Sequence, residues 1–156
     1  MKTLLLPGIS QPVALNQPIY AGSHFTWGEV TKDGMRLPIA TPFEGMVIPA
    51  AQIVRNAISL AKELDKVRAD FGDSPIHITS WLRPPEVNKA VGGVPNSQHL
   101  IGWAADIQID GYAPHDVAAK LTHTWVGGLG DSSVCTHLDL RHLLGLSSAR
   151  WNYGFA

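Results

Sequence analysis

A single cysteine, Cys135, is all that the 156 residues contain. An internal disulfide is thereby excluded, so stability must come from packing and from whatever the chain binds. Charge is scarce as well. Asp, Glu, Lys and Arg make up 16% of the chain and sum to a formal net charge of −1. Nucleic acid and anionic membrane select a basic surplus that is missing here, so neither is an expected partner. Long apolar runs are also absent. No stretch approaches the ~20 apolar residues of a spanning helix, and no membrane span is expected. Met1-Lys2-Thr3-Leu4-Leu5-Leu6 opens like a secretory signal. Pro7, Gly8, Ser10, Gln11 and Pro12 then interrupt it well short of a full apolar segment, so no signal peptide is expected.

What is present reads as one compact domain, with 45% hydrophobic residues and enough length to bury a core. Residues 1–24 carry several prolines and little period, which suggests an extended N-terminal arm before a domain spanning 25–156. Thr26-Trp27-Gly28-Glu29 has capping-box spacing and predicts a short helix, with Phe25 as its hydrophobic staple. Pro38, Pro42 and Pro49 mark an irregular link. Ile53, Val54, Ala57, Ile58, Ala61, Leu64, Val67 and Phe71 recur at helical spacing, and Gly72 stops the helix. Ile76–Ser80 alternates and is rich in β-branched residues, as a strand should be. A short helix follows at Glu86–Ala90, a strand at Trp103–Ile109 and a Pro114-initiated helix through Leu121. Val126–Gly130 and Val134–Leu140 read as two strands of a hairpin. The sum is α+β, with helices against a small antiparallel sheet.

Chemistry concentrates in two segments, Ser97–Asp106 and Thr136–Leu140. If 103–109 and 134–140 are neighbouring strands, Asp106 and His137 project to one face. His99 then reaches in from the preceding loop. Two imidazoles and a carboxylate make a three-ligand zinc set with a position left for water. Gly102 and Ala104 leave room for a substrate backbone. Such a site needs a donor for a developing oxyanion, and Arg83, fixed by Pro84-Pro85, is the candidate. The bland alternative stays open on spacing alone: isolated His and Asp in strands are usually structural, and a lone Arg is usually ion-paired.

Ser97-x-His99-x-x-Gly102-x-Ala104-x-Asp106 resembles the signature of the zinc D-Ala-D-Ala carboxypeptidase family, which shares its fold with the hedgehog signalling domain. His137-Leu138-Asp139-Leu140-Arg141 is similar to the second metal segment of one branch of that family. Phe25–Val30, Ile78–Pro84, Asn88–Gly93 and Pro95–His99 resemble further segments of it. The resemblance covers residues 25–153. It implies zinc on His99, Asp106 and His137, carbonyl stabilisation by Arg83, and Ser97 at the substrate site. The implied substrates are peptidoglycan stem peptides, cut at bonds involving D-amino acids.

One position departs from the pattern. Many members carry an acid three residues before the last zinc histidine, as general base, and here that residue is Val134. Asp139 and Asp131 are the nearest carboxylates. Asp139 is the expected base, with orientation of His99 or pairing to Arg83 or Arg141 as its other role. The resemblance also leaves open a non-catalytic, zinc-stabilised module that binds cell wall or a protein. Cys135 is expected to be a small buried hydrophobe, and Trp81 and Trp103 to flank the cleft. A monomer is expected. Size and the missing signal fit a phage lysis enzyme that stays cytoplasmic until release, or a virion-associated module.

Overall fold

The computed structural model describes residues 2–153. The expected domain range of 25–156 includes 154–156, which lie outside the described residues. The strands are β1 Thr3–Leu4, β2 Val13–Ala14, β3 Thr41–Phe43, β4 Met46–Ile48, β5 Ile76–Ser80, β6 Ala104–Ile109, β7 Gly128–Asp131, β8 Thr136–Asp139 and β9 Ala149–Asn152. The helices are α1 Trp27–Thr31, α2 Ala50–Asp70, α3 Pro85–Ala90 and α4 Pro114–Leu121. Two 3-10 turns, Gln98–Ile101 and Arg141–Leu144, follow α3 and β8.

Local chemistry accounts for the helix ends. At α1 the Thr26 hydroxyl accepts from the Glu29 amide while the Glu29 carboxylate accepts from the Thr26 amide, a complete capping box. Pro85 and Pro114 each occupy the first turn of a helix, where the missing N–H has no partner to lose. Along α2 the residues at spacings of three and four form one apolar face. Leu60, Ala61 and Leu64 have no exposed surface, and each buried leucine contributes ~1.5–3 kcal/mol. Asn56, on that buried face, donates to the carbonyl of Ile101 at 2.9 Å and ties α2 to the first 3-10 turn.

The N-terminal arm joins the same core. β1 and β2 pair antiparallel, and Leu4, Leu6, Val13 and Ile19 are buried with the side chains of α2. A polar clasp fastens its end. Asp65 of α2 accepts from the Tyr20 and Ser23 hydroxyls and from the His24 amide.

The main sheet has five strands in the order β5-β6-β8-β7-β9. Its first four strands are antiparallel neighbours, as alternation and the 131–133 turn predict. β9 was not expected, and it pairs parallel to β7, so the sheet is mixed rather than wholly antiparallel. Arg150 fastens this edge strand by donating to the carbonyls of Thr122, Trp125 and Gly127. The proline-marked link at 38–49 also holds a separate hairpin, β3–β4. Pro42 is tolerated there because the pair has no third strand needing its N–H.

One line of register organises everything that follows. Ser80 pairs with Asp106, Asp106 with His137, His137 with Gly130, and Gly130 with Trp151. Direct cross-strand partners project to the same face, so these five positions form a row across the whole sheet.

Candidate metal centre

Asp106 and His137 meet at the middle of that row because β6 and β8 are adjacent and in register. His99 arrives from the 3-10 turn above them. Ser97 caps that turn, its hydroxyl accepting from the His99 amide at 3.2 Å. Gly102 ends it in the left-handed region, with φ +76°. The His99 carbonyl accepts from the Arg83 amide at 2.9 Å, which sets the arginine beside the histidine. One ligand atom from each of His99, Asp106 and His137 lies within 4.8 Å of the others.

Partners on the far side of each ring settle which nitrogens face inward. His99 Nδ1 lies 2.6 Å from the Trp81 carbonyl, which can only accept, so the proton is on Nδ1. His137 Nε2 lies 2.9 Å from Asp139 Oδ2, again an acceptor, so the proton is on Nε2. His99 Nε2 and His137 Nδ1 are left with lone pairs. They face Asp106 Oδ1 at 3.3 and 3.0 Å. Three acceptor atoms thus converge with no proton of their own between them, an arrangement that a cation satisfies. Two nitrogens and a carboxylate oxygen match zinc, and each ring is oriented by an outer hydrogen bond as metal-ligating histidines are.

The electrostatics agree. Burial would raise the Asp106 pKa, but the two histidines outweigh it and hold the carboxyl far below its usual range. Burial pushes His99 down, against the pull of Asp106. His137 is pulled the other way, because its bonds to Asp106 and Asp139 outweigh burial and raise its pKa. The centre is built to hold positive charge.

A cleft of about 590 Å³ opens above the row, and Arg83, Ser97, Asp106, His137, Trp151 and Tyr153 are among its lining residues. Among the described residues Arg83 has no hydrogen-bonded carboxylate partner, and its Nε is buried without any partner. Burial lowers its pKa while Asp106 draws it up, so the charge survives next to the triad. Two of the expected ligands, Asp106 and His137, thus line one cavity with Arg83 and Ser97, while the third, His99, is fully buried next to them.

Asp139 borders the same cleft, but from behind His137. The expected base has a side chain with no exposed surface, behind His137 rather than in front of it. Its Oδ1 accepts from the Gly128 and Arg141 amides and its Oδ2 from His137 and from Arg141 Nη2. No oxygen is left for a substrate water. Of the roles set beside that expectation, the structure shows pairing with Arg141, while the ring it orients is His137 and not His99. Asp131 is remote, bonded to His115 at 2.7 Å. Cys135 is fully buried, with its thiol beside the Tyr153 hydroxyl, and Trp81 is core, with its indole N–H on the Gly102 carbonyl.

Two aromatic residues of the cleft were missed. Trp151 lies against His137 with ring centroids 5.2 Å apart, and the Arg141 guanidinium sits 4.8 Å over its ring. Tyr153 follows two residues later on the same side. Only the glycine at 130 allows this. A Cβ there would fall 2.6 Å from Tyr153 and 2.9 Å from Trp151. Gly128 plays the same part for Asp139 and Arg141, which a Cβ would meet at 2.4 and 2.5 Å. The alternation of Trp151 and Tyr153 was the available signal, but no turn announced the strand.

Residues 28–140 match the family model described as Peptidase M15. The chain belongs to the Peptidase M15 family. It is also 30% identical over 111 residues to the zinc D-Ala-D-Ala carboxypeptidase of Streptomyces albus G, an alignment covering 67% of this chain and 41% of that protein. The chain thus spans less than half the length of the relative it matches. All three ligand positions fall inside the matched range, and β9 falls outside it.

Proposed function

We propose that this M15 family member is a zinc-dependent peptidase that cleaves peptidoglycan stem peptides at bonds involving D-amino acids. The observation that carries the reading is the convergence of His99 Nε2, Asp106 Oδ1 and His137 Nδ1 beside an unpaired arginine in an open cleft. The zinc relative acting at D-Ala-D-Ala supports the metal and the substrate class.

Zinc on these three residues would supply a Lewis acid and a water acidified to near neutrality. The chain's own residues do the rest. Trp81 holds His99 through its carbonyl, and Asp139 holds His137, so both rings stay aimed without reorganisation. In this reading Asp139 is a positioning residue and not the base. Arg83 presents a guanidinium to the scissile carbonyl, where negative charge develops. Ser97, next to His99 on the cleft wall, lies along the peptide. A monomer is the proposed working form.

The finer reading is a wall-lytic enzyme that works after release from the cytoplasm or from a virion. Digestion of purified peptidoglycan, with fragment masses measured before and after chelation, tests both levels. Chelator-sensitive loss of one terminal D-Ala per stem indicates a carboxypeptidase, and chelator-sensitive cleavage of cross-links indicates an endopeptidase. Stoichiometric zinc with neither product would instead favour the binding module.

A further inference from the structure

Tyr153 is a cleft residue that none of the roles above uses, and it lies beyond the range matched by the family model. Its position is fixed from two sides. The Tyr153 amide donates to the Asp131 carbonyl at 2.9 Å, continuing the β7–β9 pairing. Its ring lies over Gly130, the residue paired with His137 in the register row. The sheet itself therefore holds the ring over Gly130, in the cleft that Asp106 and His137 also line.

The hydroxyl is free to act. Among the described residues it meets Cys135 Sγ at 3.4 Å, a weak acceptor, with the Ser132 hydroxyl also near. Other donors at this end of the cleft are already engaged. Arg141 gives Nε and Nη2 to Asp139, and His137 gives Nε2 to the same carboxylate. Burial, helped by the Cys135 contact, raises the Tyr153 pKa, so the group keeps its proton wherever the enzyme works. A protonated, rigid, under-used phenol beside a metal triad has the attributes of a preorganised oxyanion donor.

We propose that Tyr153 is a catalytic residue whose hydroxyl donates a hydrogen bond to the scissile carbonyl oxygen as that oxygen becomes negative, together with Arg83. The assignment rests on the peptidase reading. No proton is transferred: the phenol stays neutral, and the bond shortens as charge builds.

Tyr153→Phe removes the hydroxyl and keeps the ring over Gly130. With zinc-loaded protein and a D-Ala-D-Ala peptide or purified peptidoglycan, kcat should fall about 10²-fold with KM within threefold. Zinc content and melting temperature should not move. A phosphinate analogue of the scissile peptide, which carries the tetrahedral anionic oxygens, should lose affinity in parallel with kcat/KM, while the affinity of the product peptide stays constant. Turnover within twofold of the parent overturns the assignment. So does a fall in kcat with phosphinate affinity unchanged, since that marks a packing role. Parent protein that holds zinc and cleaves neither substrate removes the peptidase reading itself, and this assignment with it.

Discussion

Asp139 accepts a hydrogen bond from His137 Nε2 on the side of the ring that faces away from Asp106. This bond fixes the tautomer and points the Nδ1 lone pair into the triad. Asp139→Asn can no longer hold the ring with a charge, and its amide can present a donor to Nε2. Zinc affinity should fall about 10–100-fold, read by competition with a chromophoric chelator. Activity restored at saturating zinc would confirm positioning. A variant with parental zinc affinity and no turnover would return Asp139 to the role of base.

Arg83 should show the opposite pattern. Its guanidinium faces the cleft without a carboxylate partner and does not ligate the metal. Arg83→Ala should lower kcat by about 10²–10³ while leaving bound zinc unchanged. Arg83→Lys should recover little, because an ammonium lacks the flat fork of donors. Loss of zinc from the alanine variant would show that the arginine shapes the metal centre instead.

Metal removal should destabilise the fold. His99, Asp106 and His137 turn three acceptors toward one point, and stripping the cation leaves them facing one another. Zinc present at 1,000 times its dissociation constant would contribute about 4 kcal/mol, so chelation should lower the melting temperature by several degrees. His137→Ala should abolish zinc retention, and its melting temperature should ignore chelator. Parental metal content in that variant would dismiss His137 as a ligand.

Gly130 is the hinge of the aromatic wall. Gly130→Val places carbon where Trp151 and Tyr153 now lie and should push both rings out of the cleft. A cost of about 1–3 kcal/mol in urea unfolding is expected, with a shift in tryptophan emission and a large loss of kcat/KM. Unchanged emission and activity would mean that the wall is dispensable.

Acid should loosen the N-terminal arm. Burial raises the Asp65 pKa, but hydrogen bonds from Tyr20, the His24 amide and Ser23 outweigh it, and the folded-state value is depressed. A depressed carboxyl contributes stability above its unfolded pKa of about 4, and the contribution disappears as pH falls through the folded value. The stability gap between parent and Asp65→Asn, measured on metal-free protein, should therefore be full at pH 7 and shrink below about pH 4. Burial, with the hydrogen bond to Asp65, raises the Tyr20 pKa to about 12, so a second, alkaline loss is expected as pH rises from the unfolded value of about 10 toward 12. A gap equal at both ends of the acid range would rule the clasp out.

Much of this was legible in the sequence, for physical reasons. The helix over 50–70 announces itself by its 3.6-residue period, and α1 by its capping box. The pairing of Asp106 with His137 follows from period-two alternation once the two strands are neighbours. Other features leave no local trace. β9 joins β7 in parallel, so no hairpin turn marks it, and Trp151 and Tyr153 went unassigned. The direction of the His137 ring depends on which nitrogen meets Asp139, a choice that residue order does not encode. Val134, where an acid was missing, proves to be partly exposed in the β7–β8 turn, with its carbonyl accepting from Gln108.

β9 pairs along one flank only, and its other holds are Arg150 and the Trp151 ring on His137 and Arg141, whereas β6 and β8 are braced on both flanks. Amide exchange should therefore find the edge strand opening at far lower cost than the two strands that carry Asp106 and His137. Warming then acts on the molecule in sequence. On the peptidase reading, the aromatic side of the cleft should detach through a local opening while the ligand strands still stand, so turnover should be lost before the fold comes apart.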